Sequence, residues 1–112
     1  LGVAVRNGQI EFDPSLLRKA ELLNSRASFS YVDHEGESRT LDLEPGSLCF
    51  TFCQVPVVYR LSPKGSLELI ERDGSKITRQ TPVLEKEMSE KIFRRTGEIS
   101  QITVYVEERD LK

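Results

Sequence analysis

The stretch that decides the fold is SLCFTFCQVPVVYRL, residues 47–61, a strongly apolar run that contains both cysteines. A helix that spans a bilayer needs about 20 apolar residues, and this run is shorter and is interrupted by polar residues and by Pro56. Its β-branched and aromatic residues favour strand. Apolar side chains at both odd and even positions predict a strand covered on both faces. Because proline cannot donate a ladder hydrogen bond, we predict two strands, 48–54 and 57–61, that meet at a kink at Pro56.

The two cysteines in this stretch are predicted to be buried thiols. Cys49 and Cys53 lie about 13 Å apart along a strand at ~3.3 Å per residue, whereas a disulfide needs Cα atoms within about 7 Å. A structural zinc site needs four ligands, and His34 is the only histidine of the chain. The sequence therefore predicts no metal site and no cofactor.

The first hairpin has the strongest local signal. Asn7-Gly8 is a preferred two-residue type I′ turn, which pairs Val3 with Phe12 and Val5 with Ile10. This register predicts that these four side chains form one apolar face.

Turn signals and apolar periodicity predict the remaining elements. Pro14 and Pro82 at first-turn positions, with Asn24 and Gly97 after the ends, predict helices over 14–23 and 82–96. The further strands are predicted at 27–33, 38–43, 66–71, 76–80 and 99–108, the last with one exposed face. We therefore expect a mainly β protein: a single domain over 1–112, built as a two-layer antiparallel β-sandwich with two short helices.

The distribution of charge limits the classes of partner. The 16 basic and 18 acidic residues are interspersed, with a net charge of −2, whereas a nucleic-acid or anionic-membrane surface needs a concentrated basic stripe. The adjacent pair Arg94-Arg95 falls where a helix end favours cations. Since the chain starts at Leu1 without a signal-peptide pattern, we expect a domain cut from a longer, cytoplasmic protein.

Candidate chemistry is sparse, and no catalytic residue is predicted. Acidic residues surround His34 in the loop 33–37, but their spacing does not match a calcium loop, so a solvated hairpin tip is favoured. Tyr105, Tyr31 and Tyr59 are the candidates for a ligand or interdomain surface, with Tyr105 first because it falls on the polar face of its strand.

The start of the chain resembles a known family. GVAVRNGQIEFDPSLL, residues 2–17, is similar to the opening hairpin of the C-terminal β-sandwich domain in inverting glycoside phosphorylases of the cellobiose, kojibiose and maltose phosphorylase type. The matching residues are Gly2, Val5, Gly8, Ile10, Phe12, Pro14 and Leu16. The resemblance implies an accessory domain, because the family's catalytic and phosphate-binding residues lie in an upstream barrel and match no position here.

The expected function is thus a non-catalytic C-terminal accessory domain of a carbohydrate-active enzyme, a glycoside phosphorylase or hydrolase. Its expected partner is a catalytic domain upstream in the same chain, with carbohydrate as a further partner. The alternative is a stand-alone β module that binds carbohydrate or protein.

Overall fold

A computed structural model describes residues 2–18, 22 and 25–111, and within them the chain is mainly β, as predicted. Nine strands and one α-helix are formed there. The elements are β1 (Val3–Arg6), β2 (Gln9–Phe12), β3 (Ala27–Val32), β4 (Ser38–Leu43), β5 (Ser47–Phe52), β6 (Val55–Leu61), β7 (Ser66–Glu71), β8 (Lys76–Arg79), α1 (Lys86–Phe93) and β9 (Ile99–Val106).

The strands form three sheets. β1 pairs with β2, β3 pairs with β4, and a five-stranded sheet has the order β5-β6-β9-β7-β8. The prediction of wholly antiparallel strands is wrong for β6 and β9, which run parallel with Val57 opposite Ile102. Parallel neighbours need a long crossover, and here β7, β8 and α1 supply it.

The stretch 47–61 forms a tight hairpin. Cys53 and Gln54 have φ values of 52° and 66°, so both central residues of the turn are left-handed and Phe52 pairs directly with Val55. The predicted kink at Pro56 is wrong. In an antiparallel ladder the hydrogen-bonded and non-bonded pairs alternate. Phe52 and Val55 close the turn as a bonded pair, so the next pair, Thr51 with Pro56, needs no donor between the strands. On the other side of β6, pairing with β9 begins only at Val57.

The predicted helix over 14–23 is wrong in its described part. A 3-10 turn covers Pro14–Leu16, with the Asp13 carboxylate accepting a hydrogen bond from the Ser15 amide at 3.0 Å. The backbone of Leu17 is extended, and its side chain is fully buried. The helical turn therefore ends here, because burial of Leu17 requires the extended conformation. Residues 19–21, 23 and 24, including the predicted end at Asn24, lie outside the described residues.

The helix predicted over 82–96 begins four residues late, at Lys86, because the segment before it pairs with β2. The Phe12 amide donates to the Pro82 carbonyl at 2.8 Å, and the Leu84 amide donates to the Ile10 carbonyl at 2.9 Å. The helix also ends earlier than predicted, at Phe93, and the left-handed residue that follows its C-cap is Arg95, with a φ of 53°. Gly97 is left-handed as well, with a φ of 78°, but it lies beyond the helix end for which it was predicted.

The core lies between β2, α1 and one face of the five-stranded sheet. Register places Val57, Ile102 and Leu69 side by side on that face, together with the row formed by Tyr59, Val104 and Leu67, and all belong to one buried cluster. Ile10, Phe12, Leu84 and Ile92 complete this cluster from β2, the segment before α1 and α1 itself.

The opposite face of the sheet is buried at its centre. Thr103 of β9 is 5% exposed, and the groove above it is lined by β4 residues such as Leu41 and Leu43. The predicted exposed face of β9 is therefore wrong at Thr103, because side chains of β4, β6 and β7 surround it in this groove. Among the described residues no helix is long and apolar enough to cross a membrane.

Candidate functional site

A cleft of about 310 Å³ opens where three segments meet: the tip of the β3–β4 hairpin, the Cys53-Gln54 turn and the chain that leaves α1. We refer to it as the hairpin–helix cleft. A hydrogen bond joins two of these segments, since the Gln54 side-chain amide donates to the Asp33 carbonyl at 3.3 Å. The cleft is thus built by residues that are distant in sequence.

Asp33 organises the hairpin side of the cleft. Its Oδ1 accepts hydrogen bonds from the Glu35 and Glu37 amides at 2.9 and 3.0 Å, and its Oδ2 accepts one from Arg39 Nε at 2.8 Å. The Arg39 guanidinium, with these two amides, holds the pKa of Asp33 below its usual range. The carboxylate therefore stays ionised and ties the loop to the strand that follows it.

His34 lies against the chain that leaves α1. Its ring occupies the position where a side chain at Gly97 would project, and its Nε2 lies 3.4 Å from Glu35 Oε1. The side chains of His34 and Asp33 are 24% and 13% exposed, so the prediction of a solvated hairpin tip is wrong for these two residues. It holds for Glu35 and Glu37, which are exposed.

Cationic side chains outnumber carboxylates in the lining of the cleft. The carboxylates are those of Asp33 and Glu35, and the four cations are Arg39, Arg72, Lys91 and Arg95. Arg39 pairs with Asp33, and Lys91 pairs with Glu98 at 3.1 Å. Arg72 instead donates to two neutral acceptors, the Gly97 carbonyl at 3.0 Å and the Thr96 carbonyl at 2.8 Å.

Arg95 has a φ of 53° and is exposed. In the described part of the chain, no carboxylate forms an ion pair with Arg72 or Arg95. The cleft thus carries positive charge that the described carboxylates do not neutralise.

Sequence reasoning missed these cations. They come from the β7–β8 turn and from the end of α1, so their proximity depends on sheet order. The pair Arg94-Arg95 is the one sequence signal for them, and a helix end is an equally good explanation of that pair.

The two thiols occupy different environments. Cys53 lies in the β5–β6 turn and lines the cleft, while Cys49 lies on edge strand β5, and both are half-buried rather than buried. Burial raises the pKa of the Cys49 thiol to about 11. Both are free, and within the described ranges no group of three or more His, Cys, Asp or Glu could hold a metal ion.

The three candidate tyrosines do not form one surface. Tyr59 is fully buried and its hydroxyl donates to the Gly2 carbonyl at 3.0 Å, so the prediction of a surface role for it is wrong. Its position on the central strand pair explains the burial, which also raises the pKa of the phenol. Tyr31 lines the hairpin–helix cleft, whereas Tyr105 lines the groove between β4 and the sheet.

The comparisons with known proteins assign no family. No protein-family model matches this chain. A search of curated proteins likewise finds no relative. The geometry of the described residues therefore carries the functional argument.

Proposed function

We propose that this chain is a non-catalytic accessory β domain of a carbohydrate-active enzyme, a glycoside phosphorylase or hydrolase, and that it packs against a catalytic domain of the same polypeptide. The proposal includes a cytoplasmic location and the sandwich arrangement, in which β1–β2 and β3–β4 cover opposite faces of the five-stranded sheet. It is supported by the resemblance of the first hairpin and by one feature of that hairpin's surface.

This feature is the exposure of Val5. Val5 pairs with Ile10 and shares its side of the hairpin, yet Val5 is 50% exposed while Ile10 is fully buried. The apolar face predicted for this hairpin is thus covered at Ile10 and Phe12 and left open at Val5. Contact with another domain would complete its burial, and Val5 is one of the residues that carry the family resemblance.

A matched pair of substitutions tests this interface. Val32 is 51% exposed on the β3–β4 hairpin, so Val5→Asp and Val32→Asp place the same charge at equally exposed sites. In the isolated chain each substitution should change the free energy of unfolding by less than about 0.5 kcal/mol. In the longer polypeptide, Val5→Asp should destabilise this domain by about 2 kcal/mol because the new carboxylate is buried without a partner.

The result that contradicts the proposal is equal behaviour of the two variants in the longer polypeptide. The coding sequence beside this segment gives an independent test. A catalytic barrel encoded upstream supports the proposal, and an unrelated neighbour removes it.

The alternative, a carbohydrate-binding module, is favoured by the groove around Tyr105. This groove has a volume of about 160 Å³ and is lined by Asp42, Glu68 and Gln101 in addition to the tyrosine. A ring face beside carboxylate and amide groups offers both stacking and hydrogen bonds. Calorimetric titration with oligosaccharides tests it: saturable heat that Tyr105→Ala abolishes would establish this second function.

A further inference from the structure

We infer that the hairpin–helix cleft binds a small oxyanion, a carboxylate or phosphoryl group on a low-molecular-weight ligand. The cleft holds two guanidinium groups, of Arg72 and Arg95, that no carboxylate of the described chain neutralises. Guanidinium groups bind both kinds of oxyanion through paired N–H donors. This site is independent of the surface at Val5.

The local carboxylates cannot take the place of such a ligand. Asp33 uses both oxygens on Arg39 and on two backbone amides, and Glu98 pairs with Lys91. Glu35 is exposed and lies beside His34. The positive charge at Arg72 and Arg95 is therefore available to a ligand from solution.

The cleft is also shaped as a site rather than as an open basic patch. Arg72 is held in place by its hydrogen bonds to the Thr96 and Gly97 carbonyls, so its charge is positioned before any ligand binds. The half-buried imidazole of His34 forms the facing wall against Gly97. A positioned cation loses less conformational freedom on binding than a mobile one does.

The test uses the imidazole as a reporter. Because His34 is the only histidine of the chain, its NMR signal is unambiguous. Inorganic phosphate and acetate are titrated separately, at constant ionic strength and pH, with chloride as the reference anion. We expect a saturable shift of the His34 resonance with at least one of them, and the responding anion identifies the phosphoryl or the carboxylate form of the ligand.

Arg95→Gln is the decisive variant because Arg95 is exposed and its removal leaves the fold intact. It should weaken anion binding about tenfold, the loss expected when one charge-assisted contact is removed. Arg60→Gln is the control, since Arg60 is an exposed arginine on β6 outside the cleft. It removes the same charge and should change the affinity by less than about twofold.

Two outcomes overturn the inference: a His34 signal that does not respond or does not saturate with either anion, and equal weakening by Arg95→Gln and Arg60→Gln. The second outcome would mean that the anions respond only to net charge. Neither outcome bears on the accessory role, which the Val5 and Val32 pair tests separately.

Discussion

Replacement of Gly97 by alanine tests how the β3–β4 hairpin is seated on the chain that leaves α1. Gly97 has a φ of 78°, and a Cβ there would overlap the His34 ring. Gly36 provides the control, with a φ of 80° and no neighbouring atom within 4 Å of an added Cβ. Both substitutions force alanine into the left-handed region, at a cost of about 1–2 kcal/mol.

Gly97→Ala carries an additional cost because the imidazole must leave its position. Moving a packed side chain off its preferred rotamer costs about 1 kcal/mol, so we expect a total near 2–3 kcal/mol for Gly97→Ala and about 1–2 kcal/mol for Gly36→Ala. Urea unfolding followed by circular dichroism measures both free energies, with equal m-values as the check that unfolding remains two-state.

A double-mutant cycle isolates the contact. In a His34→Ala background the ring is absent, so Gly97→Ala should cost no more than Gly36→Ala does. The coupling free energy between positions 34 and 97 should be about 1 kcal/mol. Equal costs for the two glycine variants together with zero coupling would show that His34 does not pack on Gly97. The imidazole would then not form a wall of the cleft.

Three further predictions concern buried groups. Ser89→Ala should cost about 1–3 kcal/mol in urea unfolding, because the Ile10 amide loses its acceptor at 3.0 Å; a loss under 0.5 kcal/mol would contradict the contact. At pH 8, iodoacetamide should label Cys49 about 100-fold more slowly than a free thiol, because burial raises its pKa to about 11; rapid labelling would show an open thiol. Because burial raises the pKa of Tyr59, the unfolded chain loses this proton first, so stability should fall as the pH rises above about 10. Tyr59→Phe should reduce that fall.

Local rules accounted for the hairpins. Asn7-Gly8 predicted a register that the structure confirms pair by pair, and β4 and β7 have the predicted bounds. The sequence did not indicate the turn at Cys53-Gln54, because neither residue is the glycine or asparagine that usually adopts positive φ. The break between the two strands was predicted instead at Pro56, two residues later, because proline cannot donate a ladder hydrogen bond.

The errors in the helices have a long-range cause. Residues 82–84 carry helix-start signals, but backbone hydrogen bonds to β2 hold them extended. Burial of Leu17 in the core likewise ends the turn that starts at Pro14. No local window of sequence contains either partner, so propensity alone could not find these contacts.

The candidate site was least predictable because it depends on sheet order. Arg72, Arg95 and His34 line one cleft because β9 lies between β6 and β7 in the sheet. The acidic loop 33–37 is visible in the sequence, but the cations that face it are distant in sequence. Their proximity follows from the parallel pairing of β6 with β9, which the sequence pattern did not indicate.

Hydrogen exchange of the β1 amides around Val5 tests the accessory role most directly. We expect the amides of β1 to exchange readily in the 112-residue chain and at least about tenfold more slowly in a longer polypeptide in which a catalytic domain covers the open hairpin face. Equal exchange of β1 in the two proteins would contradict the proposed docking of this hairpin on a catalytic domain.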